Sequence, residues 1–152
     1  MDFPPVELIT DIGSLGVVAI AYGVLDLRSR RLHYSSGGHT PFVVQKGVDQ
    51  LQLADADGMA IGWMDDIDFE EVMIDLEVGD RVYLYSDGVP EAMSGQLEQF
   101  GDDRMLQVVR ESRTVPLAES VGALQQSVLK WCGRNGPLDD VSILGLEITD
   151  GS

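Results

Sequence analysis

Short β-prone runs, each stopped by turn residues, set the main constraint on how this chain can fold. Val17 to Leu27 is the first, and the turn Asp26-Leu27-Arg28-Ser29-Arg30 leads into Leu32-His33-Tyr34-Ser35-Ser36. That pattern predicts a hairpin with an arginine-rich tip. Gly37-Gly38-His39-Thr40-Pro41 makes a tight connection to Phe42-Val43-Val44-Gln45, and Lys46-Gly47-Val48-Asp49 turns the chain again into Gln50-Leu51-Gln52-Leu53. The first half therefore reads as an antiparallel meander. Phe69 to Leu76, Arg81 to Ser86 and Val141 to Ile148 add further strands. In Arg81 to Ser86 the alternation puts Val82, Leu84 and Ser86 on one face and Tyr83 and Tyr85 on the other.

After Pro90 the pattern changes to helix. Asp102-Asp103 are placed to cap a helix running through Arg110, with Met105, Leu106 and Val109 inward. Leu117, Val121, Leu124, Val128 and Trp131 recur at helical spacing and form one apolar face. Gly133 and Gly136-Pro137 end that helix. Near the start, Pro4-Pro5 opens a segment, Val6 to Ile12, that permits a short helix or a strand before Gly13-Ser14 breaks it. Residues 54 to 68 read as irregular and acidic. Two helices and about seven strands give an α+β domain around an antiparallel sheet, a single domain over residues 1–152.

The charge balance narrows the partners. With 26 acidic and 10 basic residues the formal net charge is -16. Such a chain repels nucleic-acid phosphates and anionic membranes and suits cations or a partner with a basic face. The lone cysteine, Cys132, excludes an intramolecular disulfide, agrees with a cytoplasmic location and falls in a helical stretch that places it in the core. No apolar run approaches the ~20 residues of a membrane span, and the acidic start has no signal-peptide pattern.

Several residues are candidates for chemistry. Asp87 ends the run Arg81 to Ser86 and is followed at once by Gly88, so a strand delivers a carboxylate to a tight turn. A hard-cation ligand and a local turn-former both fit that position. Asp139-Asp140 stand before the last strand and have the same two readings: cation ligands, or solvated charges in an exposed turn. His39 could serve as an acid or base in a cleft, or brace its loop by hydrogen bonds. His33 alternates within a strand and reads as structural. The acids Asp65, Asp66, Asp68, Glu70 and Glu71 lack EF-hand spacing and read as a solvated face. A phosphate-binding glycine loop, zinc-type Cys/His spacing and a serine nucleophile elbow are all absent from the sequence.

Taken in order, the chain's motifs make a recognisable series. They are Tyr22-Gly23-Val24-Leu25-Asp26-Leu27, Gly37-Gly38-His39-Thr40-Pro41, Ala60-Ile61-Gly62, Val78-Gly79-Asp80, Leu84-Tyr85-Ser86-Asp87-Gly88-Val89-Pro90-Glu91-Ala92, Phe100-Gly101-Asp102-Asp103-Arg104-Met105 and Asp139-Asp140-Val141-Ser142. The series resembles bacterial metal-dependent protein phosphatases of type 2C, in the branch of the sporulation stage II E phosphatase and the stress-response phosphatases. It extends from about Val17 to Ile148. The resemblance implies a sandwich of two antiparallel sheets flanked by helices, with Mn²⁺ or Mg²⁺ in a binuclear site. It implies hydrolysis of phosphoserine or phosphothreonine on a partner, often an anti-sigma-factor antagonist, and relatives often carry an upstream receiver or sensor domain. Asp87 matches the metal ligand of the Asp-Gly motif, Asp139 that of the late Asp-Asp motif, and Asp140 is its neighbour. Gly88 and His39 shape the site without acting as ligands.

The resemblance departs at the N-terminus. The family has an early Gly-Asp-x-x-Gly-x-Gly motif whose Asp bridges both metals, then a long helix, before the strand matching Val17 to Leu27. Thr10 to Gly16 echoes that motif faintly, but no long helix fits between Asp11 and Val17. Residues 1–16 are therefore expected to be the remnant of that helix, Pro5 to Ile12 its end, and Asp11 a surface acid. On this reading the metal site is incomplete. The expected function is a type 2C phosphatase domain of a signalling regulator, and the alternative is a catalytically inactive phosphatase-like adaptor that binds a regulatory protein.

Overall fold

The β-prone runs form seven antiparallel strands in the computed structural model, which describes residues 19–56 and 69–151. The strands are β1 (Ile20–Asp26), β2 (Arg31–Gly37), β3 (Phe42–Lys46), β4 (Gln50–Ala54), β5 (Glu71–Asp75), β6 (Arg81–Tyr85) and β7 (Ile143–Glu147). Two helices, α1 (Gly101–Glu111) and α2 (Leu117–Cys132), lie between β6 and β7, and a single 3₁₀ turn, Gly133–Asn135, follows α2. The expectations placed on Pro5 to Ile12, Asp11, Ala60-Ile61-Gly62, Asp65, Asp66 and Asp68 lie outside the described residues.

The strands do not make one meander. They divide into a three-stranded sheet, β1-β2-β5, and a four-stranded sheet, β4-β3-β6-β7. The chain changes sheet at Gly37 to Pro41, because β2 and β3 turn their apolar residues toward each other instead of pairing edge to edge. Leu32 and Tyr34 of β2, Ile74 of β5, Phe42 and Val44 of β3 and Val82 of β6 form the core between the sheets. Tyr34 and Phe42 meet across it, with ring centroids 4.0 Å apart.

The four-stranded sheet is apolar on both faces. Its other face carries Val43, Tyr83 and Tyr85, which pack with Met105 and Val109 of α1 and with Leu124, Val128 and Cys132 of α2. The alternation of β6 is thus as expected: Val82 and Leu84 face the first sheet, Tyr83 and Tyr85 the helices. Each fully buried large side chain contributes about 1.5–3 kcal/mol from water exclusion, so β6 is anchored from both sides.

Two helix expectations need correction. Residues 90–100 are not helical; they form turns closed by a Met93–Gln99 bridge, with the Phe100 N–H donating to the Ala92 carbonyl. Asp102 and Asp103 do not cap α1, whose N-cap residue is Phe100 and makes no side-chain cap bond; they lie in its first turn, where they complement the helix dipole.

A polar network fixes β6 to the connection between α1 and α2. The buried Arg81 guanidinium donates to Glu147 Oε2 (2.8 Å) and to the carbonyls of Val115 (2.8 Å) and Ser112 (3.4 Å). The Tyr83 hydroxyl lies 2.9 Å from Ser120 Oγ, which lies 2.6 Å from Ser112 Oγ. These contacts set where the end of β6 points.

Candidate functional site

β6 ends at Tyr85, and the next three residues turn away from the sheet. The turn is closed by backbone bonds from the Val89 N–H to the Ser86 carbonyl (3.0 Å) and from the Glu91 N–H to the Asp87 carbonyl (3.0 Å). Val89 is fully buried in the helix-side core and pins the turn from below. Asp87 is left exposed at the tip.

The second acidic turn meets the first directly. The Ser86 N–H donates to the Ser142 carbonyl (3.0 Å), the Ser142 N–H donates to Ser86 Oγ (3.0 Å), and Ser86 Oγ donates to the Asp140 carbonyl (2.9 Å). Gly88 is buried against the Asp139-Asp140 backbone, so closely that a Cβ there would lie 3.0 Å from the Asp140 carbonyl carbon and 3.6 Å from that of Asp139. The Asp140 N–H donates to Asp139 Oδ1 (2.8 Å), which tightens this second turn. The structure therefore joins Asp87 with Asp139 and Asp140 on two apposed turns, all three exposed.

His39 sits on the loop between β2 and β3 and braces it. Its Nδ1 lies 3.0 Å from the Thr40 carbonyl and 3.1 Å from the Thr40 hydroxyl. A carbonyl can only accept, so Nδ1 carries the proton. The Thr40 hydroxyl donates in turn to the Tyr85 carbonyl at 2.6 Å, which ties the His39 loop to the last residue of β6. His33 is elsewhere, on the outer face of the first sheet, with Nδ1 2.6 Å from Glu71 Oε1. Tyr85 is buried beneath the turn, and burial pushes its phenol well above the ordinary value of 10.0, so it stays protonated at neutral pH.

The donor chemistry of the two turns suits a hard divalent cation, which prefers carboxylate oxygens. The number of donors falls short: among the described residues, no three His, Cys, Asp or Glu side chains converge where they could hold an ion.

Ser86, Ser142 and Thr40 tie this region together, and none stood out in the sequence. Ser86 and Ser142 lie inside motifs of the series, next to the acids, which was the only signal available.

A family model for Stage II sporulation protein E (SpoIIE) matches residues 7–149. The chain belongs to that family. Protein IcfG of Synechocystis sp. is 22% identical over 138 residues, covering 90% of this chain and 22% of IcfG. The SiaA-PP2C domain of Pseudomonas aeruginosa superposes with a TM-score of 0.77 at 22% identity, covering 87% of this chain and 52% of that one. The phosphatase domain of SpoIIE from Bacillus subtilis superposes with a TM-score of 0.70 at 22% identity, covering 88% and 58%. The fold is that of type 2C phosphatase domains, and the chain spans less than two thirds of the length of these relatives. Among the described residues, no helix is long and apolar enough to cross a membrane.

Proposed function

We propose that this SpoIIE-family chain is a type 2C phosphoprotein phosphatase domain that removes phosphate from phosphoserine or phosphothreonine on a regulatory protein. The junction of the Asp87 turn with the Asp139-Asp140 turn through Gly88 and Ser86 carries this reading. Asp87 and Asp139 would hold Mn²⁺ or Mg²⁺, with Asp140 beside them. When bound, such an ion lowers the pKa of a water and neutralises phosphate charge. The chain's own part is to present the carboxylates from a strand end anchored on both faces, and to hold the His39 loop against that strand through Thr40. The charge of -16 favours a partner with a basic face, such as an anti-sigma-factor antagonist.

A second reading is supported by the shortage of ligands among the described residues. On it the chain is a phosphatase-like adaptor that binds its partner without catalysis. Phosphate release from a phosphoserine protein, measured with and without Mn²⁺, separates the two. The enzyme reading expects Mn²⁺-dependent release that Asp87→Ala abolishes. No release from the wild-type chain, with partner binding retained and weakened by salt, supports the adaptor. Release that survives Asp87→Ala would remove Asp87 from the ligand set.

A further inference from the structure

We propose that the outer face of the sheet β1-β2-β5 is the contact surface for a second copy of this chain, packed face to face about a two-fold axis. Both described helices pack on the four-stranded sheet, so among the described residues no helix covers this face. Leu32, Tyr34, Val72 and Ile74 turn inward to the core, which leaves Tyr22, Val24, His33 and Met73 side by side facing out. Tyr22 is 52% exposed and Met73 62%, and Ile20 and Phe69 at one end of the face are 39% and 45% exposed. A groove of about 220 Å³ beside Tyr22 and Phe69 has room for a large side chain from a facing copy. Exposed aromatic and methionine side chains grouped on one face mark an interaction surface.

The charges at its two ends select the occupant. The hairpin tip between β1 and β2 carries Arg28 and Arg30, both exposed and without an ion pair among the described residues. Glu70 and Glu71 stand exposed at the opposite end, since Arg31 of β2 lies beside Asp75 and Ser35 beside Glu71. A two-fold axis lying across the strands reverses their direction. It sets the arginine tip of one copy against the glutamate end of the other, twice per dimer. An axis along the strands would stack tip on tip, where like charges repel. Basic and acidic ends on one face are thus self-complementary, as an isologous contact requires. The rest of the chain opposes association, because each copy carries a charge of -16. Physiological salt screens that long-range repulsion beyond about 8 Å, while contacts at the tip are screened less. Strands ~4.8 Å apart and a rise of ~3.3 Å per residue make the face roughly 14 Å by 23 Å. That flat footprint of about 330 Å² is well below the ~800 Å² per partner of a standard interface, so the dimer is expected to be reversible, with a micromolar or weaker dissociation constant. Asp87, Asp139 and Asp140 belong to the other sheet's strand ends, so this surface goes beyond the catalytic reading.

Sedimentation velocity of the full chain at physiological salt is the test. The wild-type chain should show a monomer–dimer equilibrium between micromolar and millimolar concentration. Tyr22→Lys combined with Met73→Lys puts charge on the exposed centre of the face without touching the core. It should weaken dimerisation about tenfold or more while melting close to wild type. Charge reversal gives the sharper readout. Arg28→Glu with Arg30→Glu makes both ends acidic, and Glu70→Lys with Glu71→Lys makes both basic. Each of these variants alone should stay monomeric where the wild type dimerises. Mixed in equal amounts they should form a heterodimer, because each end then meets its opposite. If Glu71→Lys, which breaks the bond to His33, does not fold, Glu70→Lys alone takes its place in the mixture. A wild-type chain that is monomeric throughout, a dimer that survives Tyr22→Lys with Met73→Lys, or a mixture that stays monomeric would each overturn the proposal. None of these readouts involves phosphate release, so failure of the catalytic reading would leave them unchanged.

Discussion

Replacing Gly88 with alanine would drive apart the two turns on which the functional reading depends. The added methyl would sit far inside van der Waals contact with the Asp140 carbonyl oxygen and 3.0 Å from its carbon. The obstacle is backbone, not the tip of a flexible side chain, so one turn must shift by about 1 Å to reach ordinary carbon contact. Overpacking of this kind costs about 1–3 kcal/mol. The shift also stretches the Ser86–Asp140 and Ser142–Ser86 bonds, each worth roughly 1 kcal/mol where water can substitute. The expected loss is about 2–4 kcal/mol. At roughly 2–4 °C per kcal/mol for a domain of this size, the melting temperature should fall by about 5–15 °C. Gly122 provides a control of opposite sign. It lies inside α2 with open space where its Cβ would go, so Gly122→Ala should stabilise by about 0.5–1 kcal/mol through backbone entropy. Circular dichroism melts of both variants make the comparison. If Gly88→Ala melts with wild type while Gly122→Ala shifts upward as expected, the close approach of the two turns is not the constraint described here.

Other perturbations probe the scaffold. Arg81→Met strands two carbonyls and the Glu147 carboxylate; because Glu147 is partly exposed the cost should be about 2–4 kcal/mol, read from the urea midpoint, and a change under about 0.5 kcal/mol would contradict it. Tyr83→Phe leaves the buried hydroxyl of Ser120 one partner short and should cost about 1–2 kcal/mol in the same assay. Wild-type stability in Tyr83→Phe, beside a large loss in Tyr83→Ala, would show that the ring, and not the hydroxyl, carries the effect. Asp75 has its pKa held below the ordinary 3.8 by the hydrogen bond from Arg31, so its contribution to stability is present above about pH 4 and disappears as pH falls through the folded-state value. Asp75→Asn should therefore differ from wild type near neutrality and converge with it in acid; a constant offset across the titration would show that the pair is not the cause.

The local periodicities were legible in the chain itself. Alternation in Arg81 to Tyr85 assigned both faces of β6, and the spacing of Leu117, Val121, Leu124 and Val128 gave α2 its buried side. Asp87 after a strand and before a glycine was visible as a carboxylate on a turn. Other features were not legible, because their causes lie far apart in sequence. Gly37 to Pro41 looked like any other tight connection, and only the packing of Tyr34 against Phe42 shows that the chain changes sheets there. The residues after Pro90 looked helical because nothing local reveals the bond from Phe100 back to Ala92. That the Asp139-Asp140 turn lies against the Asp87 turn was not legible either, because Ser86, whose hydroxyl donates to the Asp140 carbonyl, stands 54 residues before it. By itself the sequence determined which strands and helices form and which of their faces are apolar, since these follow from interactions within a few residues. The tertiary structure alone decided which turns touch, because the meeting of Asp87 with Asp139 and Asp140 depends on β6 and β7 pairing across the intervening helices.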